Sequence, residues 1–183
     1  MMRLSDNPPV RPPDLTTVTS LDGVWWVAHT KAHFEKAFAW DLLAWGIPYF
    51  LPMIPRIHMC NGRRLKSLMP LFPSYVFFCG GDDQRQRAFA SNRICHVIPV
   101  HDRKQLLAEL GAIEFALNRP GLSLQLYPFA AVGRRCRVAR GPFRGLEGTV
   151  VQARDLTQLV LHLSILGQGA AFETSADALE PID

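Results

Sequence analysis

Apolar residues fall in short alternating or unbroken stretches that predict strands, with helical spacing in the gaps between them. Residues 24–30 (VWWVAHT) predict a strand with Trp26 and Ala28 on one face and Trp25, Val27 and His29 on the other. Residues 32–45 have helical spacing, with Phe34, Phe38, Leu42 and Trp45 in one stripe and Gly46 as the stop. Trp40 and Leu43 lie off that stripe, so this helix is more apolar than one core face needs. Residues 47–54 (IPYFLPMI) are extended, and their two prolines favour an edge strand. Asn61-Gly62 is the strongest hairpin signal in the chain. Residues 74–79 predict a strand with Tyr75, Phe77 and Cys79 on one face and Val76 and Phe78 on the other. Neither face is polar, so both must be covered, by the domain itself or by another molecule on one side. Asp82 is placed to N-cap a short helix through Ser91, and residues 94–100 (ICHVIPV) predict a further strand.

This order of elements is close to the split β-α-β arrangement of a ferredoxin-like domain, elaborated by a hairpin. Helices would then cover one sheet face and leave the other open. An open face carrying Val27, Tyr75, Phe77 and Val100 would be an exposed apolar patch of the kind that marks an interaction site. Asp102 and Gln105 make a capping-box-like start to a third helix running to about Asn118. Residues 119–131 contain Pro120, Gly121 and Pro128 and read as a linker. From Gly133 onward the pattern is all β, with Arg135 and Arg137 alternating with Cys136 and Val138. Leu159, Leu161, Leu163 and Ile165 share one face of another strand, opposite Val160 and His162. Five short strands in that space predict a small barrel. The expected class is α+β: a ferredoxin-like α/β sandwich at residues 23–118, a linker at 119–131 and a five-stranded SH3-like β-barrel at 132–183. Residues 1–22, with Pro8, Pro9, Pro12 and Pro13, read as a disordered tail.

Charge and composition add limits. The 183 residues carry a net charge of +4, compatible with a nucleic-acid neighbour without requiring one. A cluster of Arg56, His58, Arg63, Arg64 and Lys66 surrounds the hairpin signal. Cys60, Cys79, Cys95 and Cys136 are far apart and form no CxxC, which fits reduced thiols in a cytoplasmic protein. No apolar run approaches the length of a membrane span and no signal peptide is evident, so no membrane role is expected. His58, Cys60, Cys95 and His96 fit no zinc spacing, and no metal or other cofactor is expected. No G-x-S-x-G setting or phosphate loop exists, so the chain is not expected to be an enzyme.

Two groups of motifs resemble one family. Residues 135–151 (RCRVARGPFRGLEGTVV) resemble a KOW motif: a strand, a G-P-F turn and then G-x-x-G-x-V. Trp26, His29 to Lys31, Glu35-Lys36, LPMI at 51–54, Gly62 to Arg64 and PLFPSYVFF at 70–78 resemble, in that order, the NusG N-terminal (NGN) domain. Together they resemble the NusG/RfaH family of transcription elongation factors. That resemblance implies a cytoplasmic, non-enzymatic elongation and antitermination factor that rides on bacterial RNA polymerase and suppresses pausing; a monomer is expected.

The same resemblance implies the contacts. Val27, His29, Phe72, Tyr75, Phe77 and Val100 match the face that grips the β′ clamp helices, and Arg85 and Arg87 lie where a second contact reaches the β lobe. Lys31 matches a position that touches non-template DNA, with Arg63 and Arg64 at the basic tip beside it. Phe143, Leu146, Ile165, Leu166 and Gln168 match the KOW surface that meets a small-subunit ribosomal protein or Rho. The departures at Gln84 to Arg87, at Gly133-Arg134 and at Gln168, where NusG has arginine, favour a specialised RfaH-like paralogue. In RfaH the KOW domain can also be a helical hairpin. Gly167, Gly169 and the G-P-F turn interrupt any long helix here, which favours the barrel. The alternative function is a KOW-type RNA-binding or ribosome-associated protein.

Overall fold

The computed structural model describes residues 6–60, 62–127, 133–153 and 156–182. The chain divides into two compact units, Met1–Arg103 and Lys104–Asp183. In the first, β1 (Trp25–Thr30), α1 (Glu35–Ala44), β2 (Tyr49–Phe50), β3 (Met53–Cys60), β4 (Arg63–Pro70), β5 (Tyr75–Cys79), α2 (Asp82–Ala90) and β6 (Ile94–Pro99) follow in order. Four strands form an antiparallel sheet in the order β2-β5-β1-β6, while β3 and β4 form a separate two-stranded ribbon.

Local chemistry explains where these elements start. The helical pattern reaches back to Ala32, yet α1 begins at Glu35, because His33 has φ 66° and a left-handed residue cannot continue a helix. Its buried stripe is therefore Phe38, Ala39 and Leu42, while Phe34 and Trp40 stay exposed. Asp82 does not cap α2. The N-cap is Gly81, and Asp82 forms an ion pair with Arg85 one turn on. Val76 and Phe78 of β5 join Ala28, Phe38, Leu42 and Ala88 in one apolar core.

Residues 6–22, expected to be disordered, lie against this unit. The Val10 carbonyl accepts the Leu51 N–H (2.7 Å), and the Pro9 carbonyl accepts the Tyr49 hydroxyl (2.9 Å). Leu51 and Tyr49 are wholly buried, and a buried donor at a sheet edge needs a partner, which the tail supplies. Burial also pushes the Tyr49 hydroxyl pKa well up.

The second unit holds α3 (Arg103–Leu117), with only its first residue across the division, and strands β7 (Gln125–Tyr127), β8 (Arg134–Val138), β9 (Glu147–Ala153), β10 (Leu156–Leu163), β11 (Gln168–Glu173) and β12 (Leu179–Pro181). The sequence reading had placed that helix at the end of the first domain. The strands form one sheet in the order β12-β8-β9-β10-β11-β7. Five of them, β8 to β12, lie in the stretch read as all β. The sixth, β7, comes from the stretch read as a linker and pairs with β11, Leu126 opposite Ala170. The alternation in β8 holds, with Cys136 and Val138 buried and the arginines outward. Ile165 does not continue β10: Ser164–Leu166 is a 3-10 turn closed by Gly167 at φ 61°. Gly145, at φ 95°, serves a turn. Gly148 sits inside β9, where a Cβ would come 2.4 Å from the Val160 carbonyl oxygen, so it is a close-approach glycine.

One buried contact fixes how β5 begins. Ser74, at φ 67°, donates its N–H to the Glu35 carboxylate at 2.6 Å, and its carbonyl accepts the Thr30 N–H at 2.8 Å. Glu35 is only 5% exposed. Replacing it by Ala leaves the Ser74 N–H unpaired and is expected to cost about 1–3 kcal/mol of stability, with Glu35→Gln costing less because an acceptor remains. Urea unfolding of the two variants measures the difference.

Candidate functional site

Strand pairing decides which of the sequence-predicted residues meet. Val27 lies opposite Phe77 on one side and Ile98 on the other, and His29 lies between Tyr75 and His96. Phe50 of β2 pairs with Phe77 from the outer edge. Val100 follows β6, its N–H on the Trp25 carbonyl at 3.3 Å, so it falls on the same face as Ile98. Phe72 stands edge-on to Phe77, with ring centroids 6.4 Å apart and planes at 89°. All six residues of the first candidate set therefore gather around one sheet face.

That face is not open along its length. Val27 and Phe77 are 0% exposed and Phe72 is 1% exposed. The expectation of an exposed apolar patch is thus corrected for these three. Large apolar side chains of this kind are hidden from water wherever packing allows, and each is worth about 1.5–3 kcal/mol when buried. His29, Tyr75 and Val100 are half-buried and remain reachable. The reachable end is a ladder of rings, with His29 5.0 Å from Tyr75 and 4.7 Å from His96 between centroids. The His29 Nδ1 is buried without a hydrogen-bond partner among the described residues.

Sequence reasoning did not assign Phe50, Ile98 or His96 to this face. Its members come from β1, β2, β5 and β6, and the register between strands carries no local signature that would have selected them. Arg85 and Arg87 are not part of it. They lie on α2, with the Arg85 guanidinium 5.2 Å from the Trp26 ring centre and that of Arg87 5.0 Å from Trp45. Trp26 points to the opposite side of β1 from Val27. Both arginines are held by cation–π contacts at the surface.

Lys31 follows β1 and donates from Nζ to the Asn92 side-chain carbonyl at 2.9 Å. Arg64 is exposed near the tip of the β3–β4 ribbon; Asn61 and the side chain of Arg63 lie outside the described residues. The ribbon also exposes Ile57 and Met59, 53% and 65% accessible, beside Lys66 and Arg64. Lys36 donates to the Leu68 carbonyl at the ribbon base, and partial burial lowers its pKa.

In the second unit the candidate residues split. Leu146 is 5% exposed and belongs to the core. The Phe143 ring rests 5.5 Å from that of Phe172, near the far end of β11 from Gln168. Phe172 is four residue steps from Gln168, about 13 Å along the strand. Ile165 and Leu166 are half-buried in the 3-10 turn, whose Ser164 donates its N–H to Glu109 of α3 at 2.9 Å. Gln168 holds a buried side-chain oxygen with no partner among the described residues.

No group of three or more histidine, cysteine or acidic side chains placed to hold a metal occurs among the described residues, and no described helix is long and apolar enough to cross a membrane. Because Phe77 is fully enclosed, Phe77→Ala is expected to destabilise the fold by about 3–5 kcal/mol. Tyr75→Ala, at a half-exposed site, is expected to cost less, so denaturant midpoints of the two variants check the division of this face into closed and reachable parts.

Residues 23–98 match the model of the NusG family, described as transcription termination factor nusG. The match runs from just before β1 to the penultimate residue of β6 and leaves residues 1–22 and 99–183 outside it. No curated protein matches the chain. Residues 23–98 are a NusG-family domain, and the NusG family is a family of transcription factors.

Proposed function

We propose that this chain, through its NusG-family domain, is a cytoplasmic transcription elongation factor that binds RNA polymerase and does no covalent chemistry of its own. The observation that carries this reading is that the family match coincides with the sheet on which His29, Tyr75, Val27, Phe72, Phe77 and Val100 converge. The strand order β2-β5-β1-β6 with two crossing helices supports a ferredoxin-like domain. The six-stranded antiparallel sheet of the second unit supports an SH3-like KOW barrel with one added strand.

In this reading the ring ladder at His29 and Tyr75 grips the β′ clamp helices, and Arg85 and Arg87 on α2 reach the β lobe. Bridging the two sides of the cleft disfavours opening of the clamp and so suppresses pausing. Lys31 and the ribbon tip face non-template DNA. The KOW unit recruits a second partner, a small-subunit ribosomal protein or Rho, through Phe143 and the turn that carries Ile165 and Leu166. Gln168 supplies no charge there. A hydrogen bond from a charged group is worth about 1.5–3 kcal/mol, so Rho binding is expected to be weak. The departures from NusG favour a specialised, RfaH-like member.

The test uses the reachable residues, since the enclosed ones also hold the fold together. His29→Ala combined with Tyr75→Ala is expected to lower polymerase binding at least tenfold while the protein stays folded, given that one aromatic hot-spot residue contributes about 2 kcal/mol or more. Undiminished co-purification of polymerase with the folded double variant would sink the docking face. A titration of the full chain with Rho tests the second contact, and affinity equal to that of an arginine-bearing NusG would rule out the role given to Gln168.

A further inference from the structure

The segment ahead of the family match sits on the first unit as a bound peptide would. Three donors of the unit reach carbonyls of residues 6–12 (DNPPVRP). The Trp40 indole N–H of α1 donates to Asp6 at 3.3 Å, the Tyr49 hydroxyl of β2 to Pro9 at 2.9 Å, and the Leu51 N–H to Val10 at 2.7 Å. Pro8 and Pro12 are buried, and Val10 packs against the core that holds Phe38, Leu42 and Phe78. Trp40 is 40% exposed and outside the buried stripe of α1, and this segment is where its indole finds a partner.

Proline suits this seat chemically. It has no N–H, so Pro8 and Pro9 press on the unit without burying a donor, while each keeps its carbonyl. A seat of donors beside apolar surface therefore selects a segment rich in carbonyls and poor in N–H groups. Aromatic grooves that take proline-rich peptides work on the same terms.

The segment is also a strap that can come away. Residues 11–16 hold their own shape: Arg11 donates from Nε to the Leu15 carbonyl at 2.9 Å and from Nη2 to the Thr16 carbonyl at 2.6 Å, and the Leu15 N–H reaches the Pro12 carbonyl at 3.1 Å. Among the described residues no strand ladder joins the strap to β2, which is the edge of its sheet and pairs with β5. A segment without a ladder opens at lower cost than a strand. Val18, 1% exposed, anchors the chain beyond it, so an opened strap stays tethered.

We propose that α1 and β2 form a recognition site for proline-rich segments, occupied here by residues 6–12 of the same chain, and that a proline-rich segment of a partner protein takes the seat when the strap opens. Tyr49 lies on the helix-covered side of the sheet with Phe78, whereas Phe50 pairs with Phe77 on the other side. The site and polymerase docking therefore stand or fall separately. The tethered strap competes at an effective concentration of about 1 mM. An added peptide is thus expected to bind the intact chain weakly, and more tightly as the strap is loosened.

Fluorescence anisotropy of the full chain with a labelled peptide of residues 6–18 tests it. Pro8→Ser combined with Val10→Ser loosens the strap and leaves the seat unaltered. This variant is expected to bind the peptide at least tenfold more tightly than the unaltered chain does. Arg11→Ala loosens only the turn within the strap and is expected to act in the same direction, at least threefold, so the test does not depend on one variant. Tyr49→Phe, added to either, keeps the ring and removes one donor, and is expected to weaken peptide binding about fivefold. The same peptide with alanine at its four prolines is expected to bind at least tenfold less tightly. Three results would overturn the recognition site: folded strap variants that bind the peptide no better than the unaltered chain, affinity indifferent to Tyr49→Phe, or equal binding of the alanine peptide. A dimer of the unaltered chain in sedimentation, abolished by Pro8→Ser with Val10→Ser, would assign the seat to a second copy and overturn the partner.

Discussion

The pairing of β1 with β5 is the constraint on which the first unit depends. Val27 and Phe77 face each other there without solvent contact, and the opposite side of the same pair, Ala28 with Val76, is equally closed. A strand pair buried on both faces cannot slip by one residue to relieve a misfit, because a slip exchanges the two apolar sets and breaks both layers at once. Its start must therefore be set by something other than side-chain polarity. Ser74 does this: its left-handed backbone turns the chain, the Glu35 carboxylate takes its N–H, and Thr30 at the end of β1 donates to its carbonyl. Helix α1, the turn before β5 and the end of β1 are locked together at that point.

Much of this was legible in the sequence where a pattern is local. The doubly apolar run at β5, the alternation of arginines with buried Cys136 and Val138, and the antiparallel pairing of β3 with β4 each follow from a few adjacent residues. What escaped depends on partners distant in the chain. Strand β7 has only three residues and no period of its own; it exists because β11 offers an edge. The proline-rich start looked free because its contacts are backbone carbonyls, Pro9 and Val10, and any composition supplies carbonyls. The candidate face was legible in part for the same reason. Its members could be placed on the right side of each strand, but whether that side was open could not be read from periodicity, which treats a covered and an exposed apolar face alike.

Charge is gathered in one stretch of each unit. The β3–β4 ribbon carries Arg56, Arg63, Arg64 and Lys66 without a single carboxylate, and residues 133–148 carry five arginines with one. Each stretch alone accounts for as much excess positive charge as the +4 of the whole chain, so the rest is balanced by acidic residues elsewhere. The modest net charge thus conceals two concentrated cationic surfaces. Composition alone said only that a nucleic-acid partner was compatible with the sequence, because a sum over the chain cannot report where charge is gathered.

The division of the β1–β5–β6 face into closed and reachable parts limits what can bind the conformation described. Val27, Phe72 and Phe77 are enclosed, and re-exposing three such side chains would cost about 5–9 kcal/mol at about 1.5–3 kcal/mol each. A partner drawing on all six residues would have to offset that cost, and its apparent affinity would fall with the population of the open form. A partner content with His29, Tyr75 and His96 meets no such barrier. Their rings are already set side by side, tilted against one another, by strand register. The same ladder leaves His29 Nδ1 buried and without a hydrogen-bond partner among the described residues, which costs the fold part of one hydrogen bond at this point.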